Sequence, residues 1–272
     1  MKANFFRPGG MLRLAACLGV LIFVSACAAP PPPGGVYDPL EPLNRSVHTF
    51  NTGLDAVALR PASQAYGTVV PEPVRQGVNN FAENAGLPAA ILNKTLQGKF
   101  EDAAINTGRF LVNTTLGLGG ILDPATSLGA PEEDTDFGET LHVWGVGEGA
   151  YLALPVLGPS TSRDAMGEVV DVFINPLSAV ISTPESNYVT SARVARIVDR
   201  RYRFLGTVDS ILYESADGYS QTKLAYLQNR RFELGQDAGA AIGPDDPLFD
   251  DPLADAPLED TEGDLYDDLY LD

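Results

Sequence analysis

Apolar residues recur along the early chain at three- and four-residue steps. Leu40, Leu43, Val47, Phe50, Leu54 and Val57 make one stripe of a helix. Asp38-Pro39 offers a cap acceptor followed by a proline where no amide is needed, and Pro61 is expected to stop the run. The same period predicts a helix between Pro73 and Asn84, with Val74, Val78 and Phe81 on one face, and a short helix from Ala89 to Gln97 closed by Gly98. Another runs from Glu101 to about Leu116, where Ala104, Thr107, Leu111 and Thr114 share a side and Gly117, Gly119 and Gly120 end it. Asp136 and Glu139 fit the cap and third positions of a capping box, so Phe137, Leu141 and Trp144 line one side of a two-turn helix. Ser160 or Thr161 can cap a longer helix with Ala165, Val169, Val170 and Phe173 inward, ended by Asn175-Pro176. After Pro184 the spacing predicts a long helix carrying Val194, Ile197, Leu205, Val208 and Leu212. Gly218 interrupts it, and Tyr219 to Arg231 resumes the helical period. No stretch sustains period-two alternation between turn signals, so the fold class read from the pattern is all-α.

One stretch departs from the helical pattern. Gly145 to Leu157 is almost wholly apolar, yet Gly145, Gly147, Gly149 and Pro155 break it and Glu148 charges it. A membrane-spanning helix needs roughly 20 mostly apolar residues, and proline disfavours a central strand. Loops normally lie in water because their backbone groups need partners. An apolar, irregular loop therefore belongs inside protein or at a lipid boundary. The plainer alternative is a glycine-rich turn between buried helices.

The two ends differ in kind from the middle. Lys2, Arg7 and Arg13 precede an eleven-residue apolar run, Leu14 to Val24, and then Ser25, Ala26 and Cys27. These are the parts of an export signal over residues 1–26. A cysteine directly after Val-Ser-Ala resembles the bacterial lipobox, in which the thiol receives a diacylglycerol and the freed amine a third acyl chain. Cys27 is thus the expected lipid attachment site. At about 0.8 kcal/mol per buried methylene, several chains hold far more firmly than one. Ala28 in place of Asp resembles the pattern sorted to the outer membrane. Residues 27–37, with Pro30 to Pro33 and Gly34-Gly35, form a tether that keeps the fold within roughly 30 Å of its anchor. Residues 38–236 are the expected helical domain. Residues 237–272 carry thirteen acidic and no basic residues, with a tandem Asp-Pro-Leu type repeat from Asp246 to Asp260, and are expected to be disordered.

Charge and residue chemistry then narrow the function. A net charge of -18 over 272 residues leaves no basic footprint for nucleic acid. Only Cys17 and Cys27 are present, and neither is left for an internal disulfide once the signal is removed. Catalysis has little material. His48 and His142 stand without a nucleophile motif, although His142 is placed to titrate near neutrality. Gly145-Val-Gly147-Glu-Gly149-Ala150 fits a dinucleotide fingerprint only formally, because Pro155 stands where the helix must run. Glu132, Glu133, Asp134 and Asp136 look like a calcium loop until the positions are counted. Gly138 and Gly145 fall where oxygen ligands are required, which leaves a solvated acidic loop. No cofactor, metal or catalytic site is expected. Arg193, Arg196, Arg200, Arg201, Arg203, Lys223, Arg230 and Arg231 concentrate in the late helices. They read either as a solvated face paired with Asp199, Asp209 and Glu214 or as a surface for lipid phosphates or an acidic partner.

Several motifs, in order, resemble the VacJ/MlaA lipoproteins. They are Asp38-Pro-Leu-Glu-Pro-Leu-Asn-Arg45 with Phe50-Asn51, Val70-Pro-Glu-Pro-Val-Arg75 with Asn80-Phe81, and Leu96-Gln97-Gly98. Arg109-Phe-Leu-Val-Asn-Thr114 with Gly117-Leu-Gly-Gly120, and Asp136-Phe-Gly-Glu-Thr-Leu141 through Trp144-Gly-Val146 to Gly158-Pro-Ser-Thr161 and Arg163-Asp164, complete the set. His48, Glu148, Ala150 and Gly218 depart from the family's usual residues. The resemblance implies a ring- or disc-like helical domain lying in the inner leaflet of the outer membrane. It implies a non-enzymatic role: removing misplaced phospholipid from the outer leaflet through an amphipathic channel, beside a trimeric porin, and passing it to a soluble periplasmic lipid-binding protein. Within that picture the expected channel or gate residues are Phe137, Leu141, Trp144, Gly145, Gly147, Tyr151, Leu152, Leu154 and Pro155. The alternative is a lipoprotein that tethers partners and moves nothing; a lipid-cleaving enzyme is disfavoured.

Overall fold

The computed structural model describes residues 36–177 and 185–236; the signal, Cys27, the tether up to residue 35 and the acidic tail lie outside them. Helix α1 (Glu41–Leu54) passes through a π-turn (Asp55–Leu59) into α2 (Arg60–Val69). Helices α3 (Glu72–Asn84), α4 (Leu87–Leu96), α5 (Phe100–Thr115), the single turn α6 (Pro124–Ser127) and α7 (Phe137–Val143) follow. A hairpin, β1 (Tyr151–Leu154) and β2 (Gly158–Thr161), leads to α8 (Ser162–Ile174). The chain closes with α9 (Glu185–Arg203), α10 (Leu205–Asp209), a second π-turn (Ser210–Glu214) and α11 (Gly218–Glu233). Among the described residues no helix is long and apolar enough to cross a membrane.

The helical class holds, and two of the expected caps form. Asp38 does not cap the first helix, which starts at Glu41 without a side-chain cap; its carboxylate accepts Asn44, Tyr219 and Lys223 instead. Asp136 accepts the Glu139 amide at the start of α7, and Thr161 accepts the Asp164 amide at the start of α8. Pro61 does not end the first helix. The Arg60 amide bonds back five residues to the Asp55 carbonyl, and this wider turn puts Pro61 in the first turn of a new helical segment, where its missing amide costs nothing. The hairpin is the element the all-α pattern omits. Tyr151 pairs with Thr161 and Leu154 with Gly158, while Pro155 sits at the tip, outside the ladder. Four apolar residues in a row conceal the burial alternation of β1, so no polar beat announces it.

Helix faces are the larger correction. Leu40, Leu43, Phe50 and Val57 of the predicted stripe are exposed, whereas Asn44 and Asp55 are buried. On α5 the shared side of Ala104, Thr107, Leu111 and Thr114 points outward, and Asn106, Arg109 and Asn113 point in. On α8, Ala165 is inward as expected, but Val169 and Phe173 are exposed and Arg163, Asp164 and Gly167 are buried. Val194 and Ile197 of α9 are likewise outward, Asp199 and Arg201 inward. Periodicity fixes which residues share a face; it does not say which face meets the interior.

Small residues let such polar faces come together. Ala82, Ala85, Ala90, Ala103 and Ala192 are among the buried apolar residues, and helices α7 and α8 cross backbone to backbone. A Cβ on Gly167 would lie 2.3 Å from the Gly138 amide nitrogen. The compact apolar cluster, Tyr151, Ala153, Tyr219 and Leu227, joins the hairpin to α11.

Candidate functional site

The inward face of α1 builds a clamp on the hairpin. Asn44 Nδ2 donates to the Tyr151 carbonyl at 3.0 Å, and its Oδ1 accepts from the Ala153 amide at 2.9 Å. Two turns on, Asn51 Nδ2 donates to the Leu154 carbonyl at 2.9 Å and its Oδ1 accepts from the Val156 amide at 2.8 Å. Two carboxamides therefore take the place of a third strand, satisfying edge groups that a two-stranded ribbon leaves open. They also hold the turn at Val156, whose φ of 70° is a left-handed conformation that a β-branched residue keeps only under constraint.

Beyond the clamp, the interior is tied by ion pairs. Asp55 accepts Arg201 at 2.8 and 2.9 Å and the Tyr213 hydroxyl at 2.7 Å; Arg201 also reaches Asp209, which accepts Arg60 at 2.8 Å. Asp199 accepts Arg75 at 2.5 Å, Asn79 at 2.6 Å and Arg203 at 2.7 Å. Burial pushes both carboxyls up, but the Arg201 and Tyr213 bonds at Asp55, and the Arg75 and Asn79 bonds at Asp199, outweigh it and hold both below the usual carboxylate range. Burial, with donation to Asp55, pushes the Tyr213 hydroxyl up to about 12. Of the basic residues of the late helices, Arg201 pairs with Asp209 and Arg203 with Asp199; Arg201 and Asp199 lie inside the protein, while Arg203 reaches in from an exposed position.

The channel or gate residues expected from the sequence fall on α7, on the link that follows it, the hinge, and on the hairpin. Phe137 is buried, its ring edge-on to Trp144 at 5.6 Å, and Leu141 is half-buried beside them on α7. Trp144 donates to the Leu96 carbonyl at 3.1 Å with over half its side chain exposed. Gly145 has a φ of 87°, and a Cβ on Gly145 or on Gly147 would meet nothing within 4 Å. This link is unencumbered except at Glu148, which Arg231 holds through two bonds of 2.9 Å. Tyr151 is buried against Tyr219, Leu152 and Leu154 are half-buried, and Pro155 stands exposed at the tip. His142, expected to titrate near neutrality, is held below its ordinary value by burial and by the charges of Arg163 and Arg230.

Elsewhere, a half-open cavity of about 510 Å³ lies between α9, the loop 132–135 and the facing ends of α3, α4 and α8. None of the hairpin or hinge residues lines it. Arg193, Arg196 and Arg200 enter from α9, and Leu87, Val172 and Ile197 supply apolar wall. Arg196 pairs with Glu83 at 2.9 Å. Across from them stand Glu132, Glu133, Asp134 and Asp171. Asp171 accepts Asn93 at 2.9 Å and the Phe137 amide at 2.8 Å, so one carboxylate joins the cavity wall to the start of α7 and thence to the hinge. Burial pushes the Asp171 carboxyl up; Glu132 is raised too, by enclosure and then by the neighbouring charges of Glu83 and Asp134. Such a cavity suits an amphipathic molecule with a charged head. The sequence signal for it was the one-face spacing of Arg193, Arg196 and Arg200, and for the clamp the polar stripe Asn44, Asn51 and Asp55. Among the described residues no group of acidic, histidine or cysteine side chains is arranged to hold a metal ion.

Comparison with known proteins places these features in a family. Residues 36–233 match the family model described as MlaA lipoprotein. The chain is 34% identical over 226 residues to the intermembrane phospholipid transport system lipoprotein MlaA of Escherichia coli, covering 81% of this chain and 88% of that one. It is 31% identical over 201 residues to the protein of the same name from Haemophilus influenzae, covering 72% and 79%. An uncharacterized protein of Rickettsia felis is 37% identical over 196 residues, covering 72% and 77%. A solved structure described as the structural basis for maintenance of bacterial outer membrane lipid asymmetry superposes with a TM-score of 0.63 at 34% identity, covering 72% of this chain and 98% of that chain.

Proposed function

Because the chain belongs to the MlaA lipoprotein family, we propose that it withdraws phospholipids misplaced in the outer leaflet of the outer membrane and hands them to a soluble periplasmic lipid carrier, keeping the membrane asymmetric. The observation that carries this reading is the reversed polarity of the helices. Leu43, Phe50, Val57, Leu111, Val169 and Phe173 face outward while Asn44, Asp55, Asn106, Arg109 and Asp199 face inward. In water this arrangement gives up most of the hydrophobic gain, about 25 cal/mol per Å² of apolar surface. In lipid the outer face costs nothing, and the polar groups must then be satisfied inside, as they are here. With no described helix able to span, the domain rests in one leaflet, held on the periplasmic side by acyl chains on Cys27. A trimeric porin beside it gives access to the outer leaflet.

The stretch from Gly145 to Leu157 serves in this proposal as the gate. Its link is open at Gly145 and Gly147, its tip is exposed, and Asp171 couples its base to the cavity. Deleting the gene and measuring surface-exposed phospholipid tests the function. Accumulation supports transport, and unchanged lipid leaves a tether that moves nothing. Gly145→Pro or Gly147→Pro is expected to change outer-leaflet phospholipid without releasing the protein from membranes; unaltered lipid in both variants removes the gate assignment. Free fatty acid released by the purified protein would instead mark a lipid-cleaving enzyme.

A further inference from the structure

The cavity between α9 and the loop 132–135 holds charges of both signs, and beyond one ion pair they are not joined to each other. Arg196 is paired with Glu83. Arg193 reaches only the Ala85 carbonyl, at 3.4 Å, and among the described residues the Arg200 guanidinium makes no hydrogen bond or ion pair. On the opposite wall, Glu132, Glu133 and Asp171 make no salt bridge among the described residues, and Glu132 feels Arg109 and Arg196 only from beyond ion-pair distance. Elsewhere in this protein charges facing the interior are consumed in short pairs, such as Arg201 with Asp55 and Arg75 with Asp199. A cavity that keeps its cations and anions apart, with Leu87, Val172 and Ile197 beside them, is built for a ligand that brings both charges itself.

We propose that this cavity selects phospholipids with a zwitterionic, ammonium-bearing head group, Arg193 and Arg200 taking the phosphodiester and Glu132 and Glu133 the ammonium. The proposal rests on the transport reading above and adds a head-group preference to it. Guanidinium donors match phosphate oxygens in geometry as well as charge. An anionic head group such as phosphoglycerol satisfies the arginines but leaves the carboxylates facing its hydroxyls and repelling its phosphate. Discrimination then comes from the unmatched wall as much as from the matched one.

The test uses the purified lipoprotein in detergent, offered equal amounts of phosphatidylethanolamine and phosphatidylglycerol, with the retained lipids quantified by mass spectrometry. Phosphatidylethanolamine is expected to be retained about tenfold over phosphatidylglycerol, a difference of the size that one well-matched charge contact supplies. Glu132→Gln with Glu133→Gln is expected to keep total lipid and bring that ratio near one. Arg193→Ala with Arg200→Ala is expected to lower retention of both lipids. Arg200→Gln alone, at an exposed and unpaired side chain, lowers both by less, so a loss of folding in the double variant does not decide the matter. Equal retention by the unaltered protein, or a ratio that the two glutamines do not move, overturns the head-group assignment while leaving transport intact. A folded protein that retains neither lipid overturns the transport reading itself. Glycerophosphoethanolamine is expected not to compete; competition would reassign the cavity to soluble phosphodiesters.

Discussion

The seam between α1, α2, α3 and α9 and the segment from Gly145 to Thr161 are held by different forces. In the seam, Arg201 spans Asp55 and Asp209 while Asp199 gathers Arg75 and Asn79 within the interior and Arg203 from the rim. The hairpin is fastened by four bonds to two asparagine side chains and by one half-buried ion pair, Glu148 with Arg231. A buried charge without its partner is intolerable, so the seam is locked as a unit. Carboxamide bonds to a ribbon edge can be exchanged for water or lipid-headgroup bonds at small net cost. One molecule thus combines a frame that resists opening with a hairpin whose ties are exchangeable, the division of stability that a moving element requires.

Acidification should act on the frame as a whole and have the largest effect. Asp55, Asp199 and Asp209 in the seam are held below the usual carboxylate range by their arginine, tyrosine and asparagine partners, and so, outside the seam, is Asp164 by Arg163, Arg230 and Tyr226. The stability they contribute is present above the unfolded value of about 4 and is lost as pH falls through their folded values. Glu132, Glu168 and Asp171 are raised, chiefly by burial, and act in the opposite sense, so protonating them as pH falls through their raised folded values relieves strain. Thermal unfolding followed from pH 7 to pH 2.5 should therefore show a shallow maximum in mild acid and a steep fall below about pH 4. A melting temperature that declines evenly over the whole range would contradict the locked frame.

Arg201→Ala leaves Asp55 buried with only Tyr213 and should cost about 3–5 kcal/mol in denaturant unfolding. A loss under about 1 kcal/mol would place the seam among surface pairs. Asn51→Ala frees the Leu154 carbonyl and the Val156 amide, a cost of about 1–3 kcal/mol confined to the hairpin. Hydrogen exchange should show faster exchange at residues 151–161 with α9 unchanged; loss of protection in both together would mean the two regions are one cooperative unit. Arg231→Ala removes the single charged tie on the hinge and should cost about 1 kcal/mol or less, seen as easier proteolysis near Glu148 with little change in global unfolding.

How much of this was legible in the chain depends on how far apart the deciding residues lie. Caps are local: Asp136 with Glu139 and Thr161 with Asp164 are three residues apart, and both helices start where the sequence places them. Family membership was legible for a similar reason, because its motifs are short ordered strings that keep their identity wherever they fold. The clamp was not, although its polar stripe was visible. Asn44 meets Tyr151 across 107 residues, Asp55 meets Arg201 across 146, and Arg75 meets Asp199 across 124. The residues expected to form a gate lie close together in the chain, from Phe137 to Pro155, but the cavity is assembled from four separate segments, and only the arginines of α9 hinted at it.

The sequence by itself determined where the capped helices begin, which residues share a face, and which family the chain joins. Tertiary structure alone decided that polar faces turn inward, that an apolar run folds back as a hairpin, and that charges of both signs face one another across a cavity. The reason is physical. Hydrogen-bond periodicity and capping are properties of a few neighbouring residues, whereas the sense of a helix face depends on what lies beyond it, and the same stripe of leucine, valine and phenylalanine seeks a protein core in water or a hydrocarbon surface in lipid.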